Sequence, residues 1–472
     1  MPKTKIVCTL GPATESEEKI EELILSGMTV ARLNFSHGDL DTHRNTFHRV
    51  RQASAKLGIP VGIMVDVPGP KYRTGPTIPG VLDVKTGDEV TLTSRDLTGD
   101  YHLISVAPPG LHRDATVGRP ILLDDGLIEL LVKEIEGEDV RCEIIVGGRI
   151  TERRGVTTPG KAPSQPFPDA RAKEALNFAS EYGADFVALS TITNADDVVR
   201  GRAYLEKDNP KGYIISKIER AEALDHLDSI IEVSDAIMVA RGDMGVEVPL
   251  SRVPIIQKDL IRRCNLAGKP VITATQMLES MIRSAIPTRA EVTDVANAIF
   301  DGTDAIMLSG ETSVGLYPIE AVKVMAQTAL EAEKALPYES IILEKGRQTE
   351  GASVADAISY DAVRTAFQIK ANLIITFTEG GVSAGRVSKY RPLPKILALT
   401  ANEEVQRRLT LRWGVIAIPL GDIENVEDFF AAGALFAKQV GGVSSGDTVV
   451  LVAGVPIGVA GSTNLLRVMT IV

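Results

Sequence analysis

The sequence predicts an α/β protein: a (β/α)8 TIM barrel with an inserted all-β lid domain, followed by a separate α/β domain. Three observations predict it. Short apolar runs alternate with amphipathic helical stretches eight times, the rhythm of strands covered by helices on the outside. Polar residues cluster where most of those runs end, the face on which such barrels carry chemistry. The alternation breaks once, after the third run, and gives way to short alternating segments between turn residues, as in an all-β insert.

Lys5 to Leu10 reads as the first strand, and the helix after Gly11-Pro12 ends near Gly27. Thr29 to Ser36 is the second strand. A helix from Leu40 to Leu57 stops at Gly58 and Pro60. Val61 to Asp66 is the third strand. The insert then shows β-like runs at Val81 to Val84, Glu89 to Thr93, Ile121 to Leu123, Leu127 to Val132 and Val140 to Val146, and closes on the stiff linker Thr158 to Pro166. A helix from Asp169 to Tyr182 restarts the alternation, with strands at Phe186 to Ser190, Tyr213 to Glu219, Ala236 to Arg241, Val271 to Thr275 and Ala305 to Ser309. Ser251 is the expected N-cap and Gly268 the expected C-terminal stop of the helix between the sixth and seventh strands. From about Leu336 the pattern changes to a second α/β unit, and the single tryptophan, Trp413, reads as a packing residue. The expected domains are 1–69 with 166–336 for the barrel, 70–165 for the lid and 337–472 for the C-terminal domain.

Composition removes several functions. Net charge is −11, which disfavours nonspecific nucleic-acid binding and requires a local basic pocket for any anionic ligand. The three cysteines show no metal-ligand spacing, and fit free thiols in a cytoplasmic protein. No apolar run is long enough to span a bilayer, so no membrane partner is expected.

The central stretch is Ala236 to Glu247. An apolar strand stops at Arg241-Gly242-Asp243-Met244-Gly245, where glycines let backbone approach a ligand closely. Alone, this stretch reads slightly better as a plain strand, a glycine turn and an N-capping Asp. The other strand ends change that. Arg32, Asn34, Ser36, Asp66, Lys217, Glu219, Asp243, Thr275, Ser309 and Glu311 all fall at the same level, which is hard to explain by capping alone. Glu219 and Asp243 offer sparse oxygen ligation of the kind Mg²⁺ uses. Lys217 can stabilise a transferring phosphoryl group or an enolate oxygen, and Arg32 offers a planar fork for phosphate. No Walker-A loop and no kinase glycine-rich loop is present.

Six segments carry a resemblance: Lys5 to Ala13 (KIVCTLGPA), Ala31 to Gly38 (ARLNFSHG), Ile215 to Glu219 (ISKIE), Met238 to Gly245 (MVARGDMG), Ala274 to Ser280 (ATQMLES) and Met307 to Thr312 (MLSGET). In this order and spacing the chain resembles the pyruvate kinase family from end to end. The resemblance implies phosphoryl transfer from phosphoenolpyruvate to ADP in glycolysis, giving pyruvate and ATP. It implies Mg²⁺ or Mn²⁺ on Glu219 and Asp243, and the substrate carboxylate on Gly242, Asp243 and Thr275. Arg32 and Lys217 would flank the phosphoryl group. Lys217 and the metal would stabilise the enolate, and Thr275, Ser309 and water would deliver the proton. ADP or ATP would meet Thr9, Pro12, His37, Arg73, Asp125 and Arg154.

The resemblance also implies a potassium site on Asn34, Ser36, Asp66 and the Val67 carbonyl. Here the chain departs from the usual pattern: Lys71 stands where potassium-dependent relatives have Glu, so Lys71 is expected to replace the ion, as in potassium-independent members. A homotetramer is expected, with a sugar-phosphate or nucleotide effector at Thr378 to Gly385, a glycine-rich turn between strand and helix. Gly454 to Gly458 lacks the Trp-Arg of fructose-bisphosphate-sensitive relatives, which speaks against that effector. Two competing readings are a barrel lyase acting on phosphoenolpyruvate, which would need neither lid nor nucleotide contacts, and a silent sensor, which would have lost Lys217, Glu219, Asp243 or Thr275.

Overall fold

The protein is described by a computed structural model. It covers all residues except 162–163, 165–166, 206–211, 348–352, 422, 424 and 456–462. Parts of the Thr158 to Pro166 linker and of the Gly454 to Gly458 segment therefore lie outside the described residues.

Eight parallel strands close into a barrel in sequential order. They are β1 (Lys5–Thr9), β2 (Val30–Asn34), β3 (Gly62–Val67), β4 (Phe186–Leu189), β5 (Tyr213–Ile218), β6 (Ala236–Ala240), β7 (Val271–Ala274) and β8 (Ala305–Leu308). Nearly every strand residue is buried, as the unbroken apolar runs require when both faces are covered. Several helices start where side chains can satisfy the first backbone N–H groups. Ser16 accepts from the Lys19 N–H, Asp39 from the Thr42 N–H, and Thr288 forms a reciprocal capping box with Glu291. The helix Leu40–Leu57 ends at Gly58 with φ +64°, a left-handed position that a glycine takes without strain.

The chain packs as two compact units. One holds β1, β2, β7, β8 and the C-terminal domain; the other holds β5, β6 and the inserted β domain. In the first unit the C-terminal sheet runs in the order Val415–Pro419, Lys395–Thr400, Leu373–Phe377, Thr448–Gly454, Thr463–Thr470, with only the last strand antiparallel to its neighbour. Within this unit the C-terminal domain is tied to barrel elements by a buried ion pair, Arg391 Nη1 to Asp304 Oδ1 at 2.9 Å, and by Lys5 Nζ donating to the Val415 carbonyl. Trp413 is buried, a packing residue as its sequence suggests.

In the second unit the insert is itself a closed barrel. Its strands run in the order Asp139–Val146, Glu89–Thr93, Leu103–Ala107, Tyr72–Thr74, Gly155–Thr157, Pro120–Leu123, Ile128–Glu136, with a two-stranded ribbon of Val81–Val84 and Gly148–Thr151. Leu92, Ile104, Ile121, Leu130 and Val140 centre its core. The strands at Leu103–Ala107, Tyr72–Thr74, Gly148–Thr151 and Gly155–Thr157 are not among the runs read from sequence. Most are three or four residues long, too short for two-residue alternation to register.

Two local expectations are corrected. The helix after β6 begins at Val253 behind a 3₁₀ turn, Leu250–Arg252, so Ser251 lies inside that turn and is not its N-cap. The segment after β6 is not an open glycine turn but a seven-residue helix, Arg241–Glu247.

Candidate active site

The chemistry begins on β5. Lys217 and Glu219 are two residues apart, so both side chains leave the same face of the strand, and Lys217 Nζ lies 3.4 Å from Glu219 Oε2. Asp66, at the end of β3, joins them: Lys217 Nζ is 3.2 Å from its Oδ1. All three are buried. Lys217 also donates to Ser190 Oγ at 2.6 Å, and Ser190 Oγ in turn donates to Asp66 at 3.3 Å. Glu219 Oε1 accepts the Thr191 backbone N–H at 2.6 Å. That geometry costs strain, because Thr191 holds φ +58°, a region β-branched residues avoid.

Asp243 sits in the first turn of the helix Arg241–Glu247, whose N-cap, Ala240, has no capping side chain. Its partner is Lys71, with Nζ 3.3 Å from Asp243 Oδ1 and 3.6 Å from Asp125 Oδ1. A cavity of about 40 Å³ is lined by Lys71, Thr191, Glu219 and Asp243. It is little more than one water molecule in size.

Charge explains the behaviour of this cluster. Burial pushes the Glu219 carboxyl up; Lys217 opposes this, and Asp243 and Asp66 add to it. Burial pushes Asp243 the same way, but Lys71 and Lys217 outweigh it and hold Asp243 below the usual carboxylate range. For Lys71, burial disfavours the charge, yet Asp243, Asp125 and Glu219 outweigh it and raise its pKa. Three carboxylates (Asp66, Glu219, Asp243) against two ammonium groups (Lys71, Lys217) leave one negative charge in excess, to which the exposed Asp125 beside Lys71 adds a second. Glu219 Oε2 is buried and, although Lys217 Nζ lies 3.4 Å away, it accepts no hydrogen bond. An unsatisfied buried oxygen in an anionic cluster fits a hard divalent cation. Among the described residues no group of three or more His, Cys, Asp or Glu side chains is poised as a metal cage, so a cation on Glu219 and Asp243 would draw further oxygens from water and substrate.

The first unit carries the other strand-end residues. Arg32 on β2 is buried, and its Nη1 donates to Thr9 Oγ1 at 2.8 Å. Thr9 itself donates to the Leu308 carbonyl at 3.0 Å, so it positions Arg32. Asn34 Oδ1 accepts the Ser36 N–H at 3.2 Å. Thr275 and Gln276 follow β7 with φ +67° and +54°, consecutive left-handed non-glycine residues, a conformation that persists only where surrounding structure imposes it. Glu311 is fully buried; it accepts the N–H groups of Leu278 and Ser309 at 3.0 and 2.7 Å and so links the Thr275 loop to Ser309. Ser309 Oγ is buried with no hydrogen-bond partner.

The six expected nucleotide residues divide between the units. Thr9 is buried, while Pro12 and His37 are exposed in the first. In the second, Arg73 donates to the Arg153 carbonyl, Arg154 pairs with Asp124 at 3.2 Å, and Asp125 is 75% exposed. Of the expected potassium ligands, the Val67 carbonyl accepts the Ser190 N–H at 3.2 Å, and Asp66 is engaged by Lys217. Ser190 and Thr191 escaped the sequence reading. The available signal was their position: they follow the fourth strand, where barrel chemistry is placed.

A parallel barrel carrying a lysine among carboxylates at its strand ends has the arrangement of an enzyme site for an anionic substrate, and its excess of carboxylates suits a divalent cation. Comparison with known proteins gives the family. The pyruvate kinase barrel-domain model matches residues 1–322, and the pyruvate kinase alpha/beta-domain model matches residues 356–469. Pyruvate kinases of Staphylococcus aureus strains MRSA252 and USA300 are each 43% identical over 470 residues, 99% of this chain and 80% of theirs. A crystal structure of a pyruvate kinase from Cryptosporidium parvum superposes with a TM-score of 0.94 at 38% identity, covering all of this chain and 96% of that one. The chain belongs to the pyruvate kinase family and is a phosphotransferase.

Proposed function

We propose that this protein transfers the phosphoryl group of phosphoenolpyruvate to ADP, releasing pyruvate and ATP. The reading rests above all on Lys217, buried between Asp66 and Glu219 beside the Lys71–Asp243 pair, in a chain of this family. Glu219 and Asp243 would hold Mg²⁺ or Mn²⁺. Bound there, the metal supplies positive charge to the oxygens of phosphate and enolate.

The protein's own groups then divide the work. Backbone N–H groups of Gly242 and Asp243, with Thr275, receive the substrate carboxylate. Arg32, held by Thr9, and Lys217, held by Ser190 and Asp66, meet the phosphoryl oxygens. As the phosphorus–oxygen bond to the enol breaks and the bond to ADP forms, negative charge grows on the enolate oxygen, and Lys217 stabilises it. A proton delivered to carbon through Thr275, Ser309 and water completes pyruvate; the unpartnered Ser309 hydroxyl supports a relay role. Thr9, Pro12, His37, Arg73, Asp125 and Arg154 form the nucleotide set, with the inserted β domain as lid.

Potassium is not required in this reading. Lys71 supplies the positive charge, supported by its contacts to Asp243 and Asp125 and by its raised pKa. The homotetramer rests on family membership. So does the effector at Thr378 to Gly385, helped by Gly381 at φ +83°, which opens the helix Val382–Lys389. Cytoplasmic operation agrees with three buried free thiols; no described helix is long and apolar enough to cross a membrane.

The test is pyruvate formation from phosphoenolpyruvate and ADP, with and without Mg²⁺, in wild type and Lys217→Met. Turnover that depends on the metal and falls roughly a hundredfold to a thousandfold in the variant is expected. Mn²⁺ binding followed by electron paramagnetic resonance should survive the change. A variant within a few-fold of wild type would remove Lys217 from the mechanism.

A further inference from the structure

Apart from the catalytic cluster, the first unit holds a cavity of about 200 Å³. Its walls are the last turns of the helices Val253–Ala267 and Arg289–Asp301 on one side. The helix Tyr338–Arg347, Arg391 and Trp413 form the other. Such a volume accommodates about six water molecules or one small metabolite.

Three cations, Arg262, Lys345 and Arg391, and two carboxylates, Asp301 and Glu344, line it, so the wall carries one positive charge in excess. Arg391 is 5% exposed, bonded to Asp304 and to the Gly302 carbonyl, and its Nε has no hydrogen-bond partner. It also holds φ +52°, a conformation unusual for arginine. Lys345 is served far worse. Among the described residues its sole hydrogen-bond partner is Asn265 Oδ1, at 3.2 Å. That same oxygen already accepts from Arg391 Nη2 at 3.2 Å. The orientation of the Asn265 amide is set independently, because its Nδ2 donates to the carbonyls of Ile261 and Gly302 at 2.8 and 2.9 Å. Two cations therefore share one neutral oxygen, and no carboxylate lies within ion-pair distance of Lys345 among the described residues. Two of the three ammonium donors remain available on the cavity wall.

We propose that this cavity binds a compact tetrahedral oxyanion, inorganic phosphate or the phosphate of a small phosphomonoester, with Lys345 as its principal contact and Arg262 and Arg391 as supporting charge. An oxyanion supplies the charge and acceptors that Lys345 lacks. Burial, and then the Arg391 charge, pushes the Lys345 ammonium down to about 7. The charged groups that act on it are Arg391, Asp304, Lys389 and Glu344, and Arg262 and Asp301 line the same cavity. A bound anion favours the ammonium form, so binding takes up a proton and weakens as pH rises through 7.

The protein carries its own reporter, since Trp413 is the single tryptophan and lines the cavity, with the Arg391 guanidinium 5.1 Å from its ring centre. Tryptophan emission is followed while the full-length protein is titrated with sulfate, which stays dianionic across the range, at constant ionic strength. A saturable change is expected, roughly tenfold weaker at pH 8 than at pH 6, the ratio of ammonium populations for a lysine titrating near 7. Lys345→Met should abolish it and Lys345→Arg should keep it without the pH dependence, while anion-free turnover of Lys345→Met stays at the wild-type level. Inorganic phosphate and glycerol 3-phosphate are then compared at pH 6. Tighter binding of the ester assigns the site to a phosphorylated metabolite, and equal binding assigns it to the free anion. No saturable change with sulfate, or the same change in Lys345→Met, overturns the proposal.

Discussion

Replacing Lys71 with Glu tests whether an ammonium group does the work of a monovalent ion. Its Nζ lies 3.3 Å from Asp243 Oδ1. Coulomb's law gives about 1 kcal/mol for that separation in bulk water and about 5 kcal/mol at an effective dielectric of 20. The side chains are 34% and 44% exposed, so solvent screening brings the attraction to about 2 kcal/mol. Glu at 71 turns attraction into repulsion, a swing of about 4 kcal/mol, or nearly three decades in a rate or binding constant. The assay is turnover of phosphoenolpyruvate and ADP in tetramethylammonium buffer free of potassium, followed by potassium titration. Wild type should be active without potassium and change less than about twofold on adding it. Lys71→Glu should lose at least a hundredfold and recover most of that when potassium binds beside the new carboxylate. Lys71→Met, which removes the attraction without adding repulsion, should lose roughly thirtyfold. A wild type nearly inactive without potassium and strongly rescued by it would refute the reasoning.

Two further outcomes follow from contacts elsewhere. A Cβ on Gly69 would fall 1.9 Å from Thr191 Oγ1, and Thr191 supplies the N–H that holds Glu219. Gly69→Ala should therefore lower kcat at least about tenfold with an unchanged far-ultraviolet circular dichroism spectrum; a wild-type kcat would show that this crowding is without consequence. Arg391→Met leaves Asp304, buried on both sides of the pair, without its cation. Unfolding in urea should show a loss of about 3 kcal/mol, much of it recovered when Asp304→Asn is added. Equal stability of the single variant and wild type would mean the pair is dispensable.

Much of this protein was legible in its sequence because the informative patterns are short. A strand buried on both faces needs an apolar run and an amphipathic helix needs a 3.6-residue period, so the eight strands and the exact span Leu40–Leu57 could be read within windows of twenty residues. Lys217 and Glu219 share a face by their two-residue spacing alone. The strand-end rule gathered Arg32, Asp66, Asp243, Thr275 and Ser309 without coordinates. It passed over Ser190 and Thr191, whose strand end reads as ordinary polar capping until Lys217 and Glu219 are seen to bond to it. Most of the missed lid strands escaped because three or four residues carry no period.

What only tertiary structure decided is which distant groups meet and how they share charge. Lys71 and Asp243 are 172 positions apart, and nothing local to either predicts the pair. Asp243 is held ionised while burial pushes Glu219 the other way, although both are carboxylates at strand ends. Lys345 and Arg391 converge on one Asn265 oxygen from separate parts of the chain. Secondary structure follows from interactions between residues a few positions apart, which the sequence displays directly. Ionisation and pairing follow from distance and burial in the packed interior, and those exist only once the whole chain has folded.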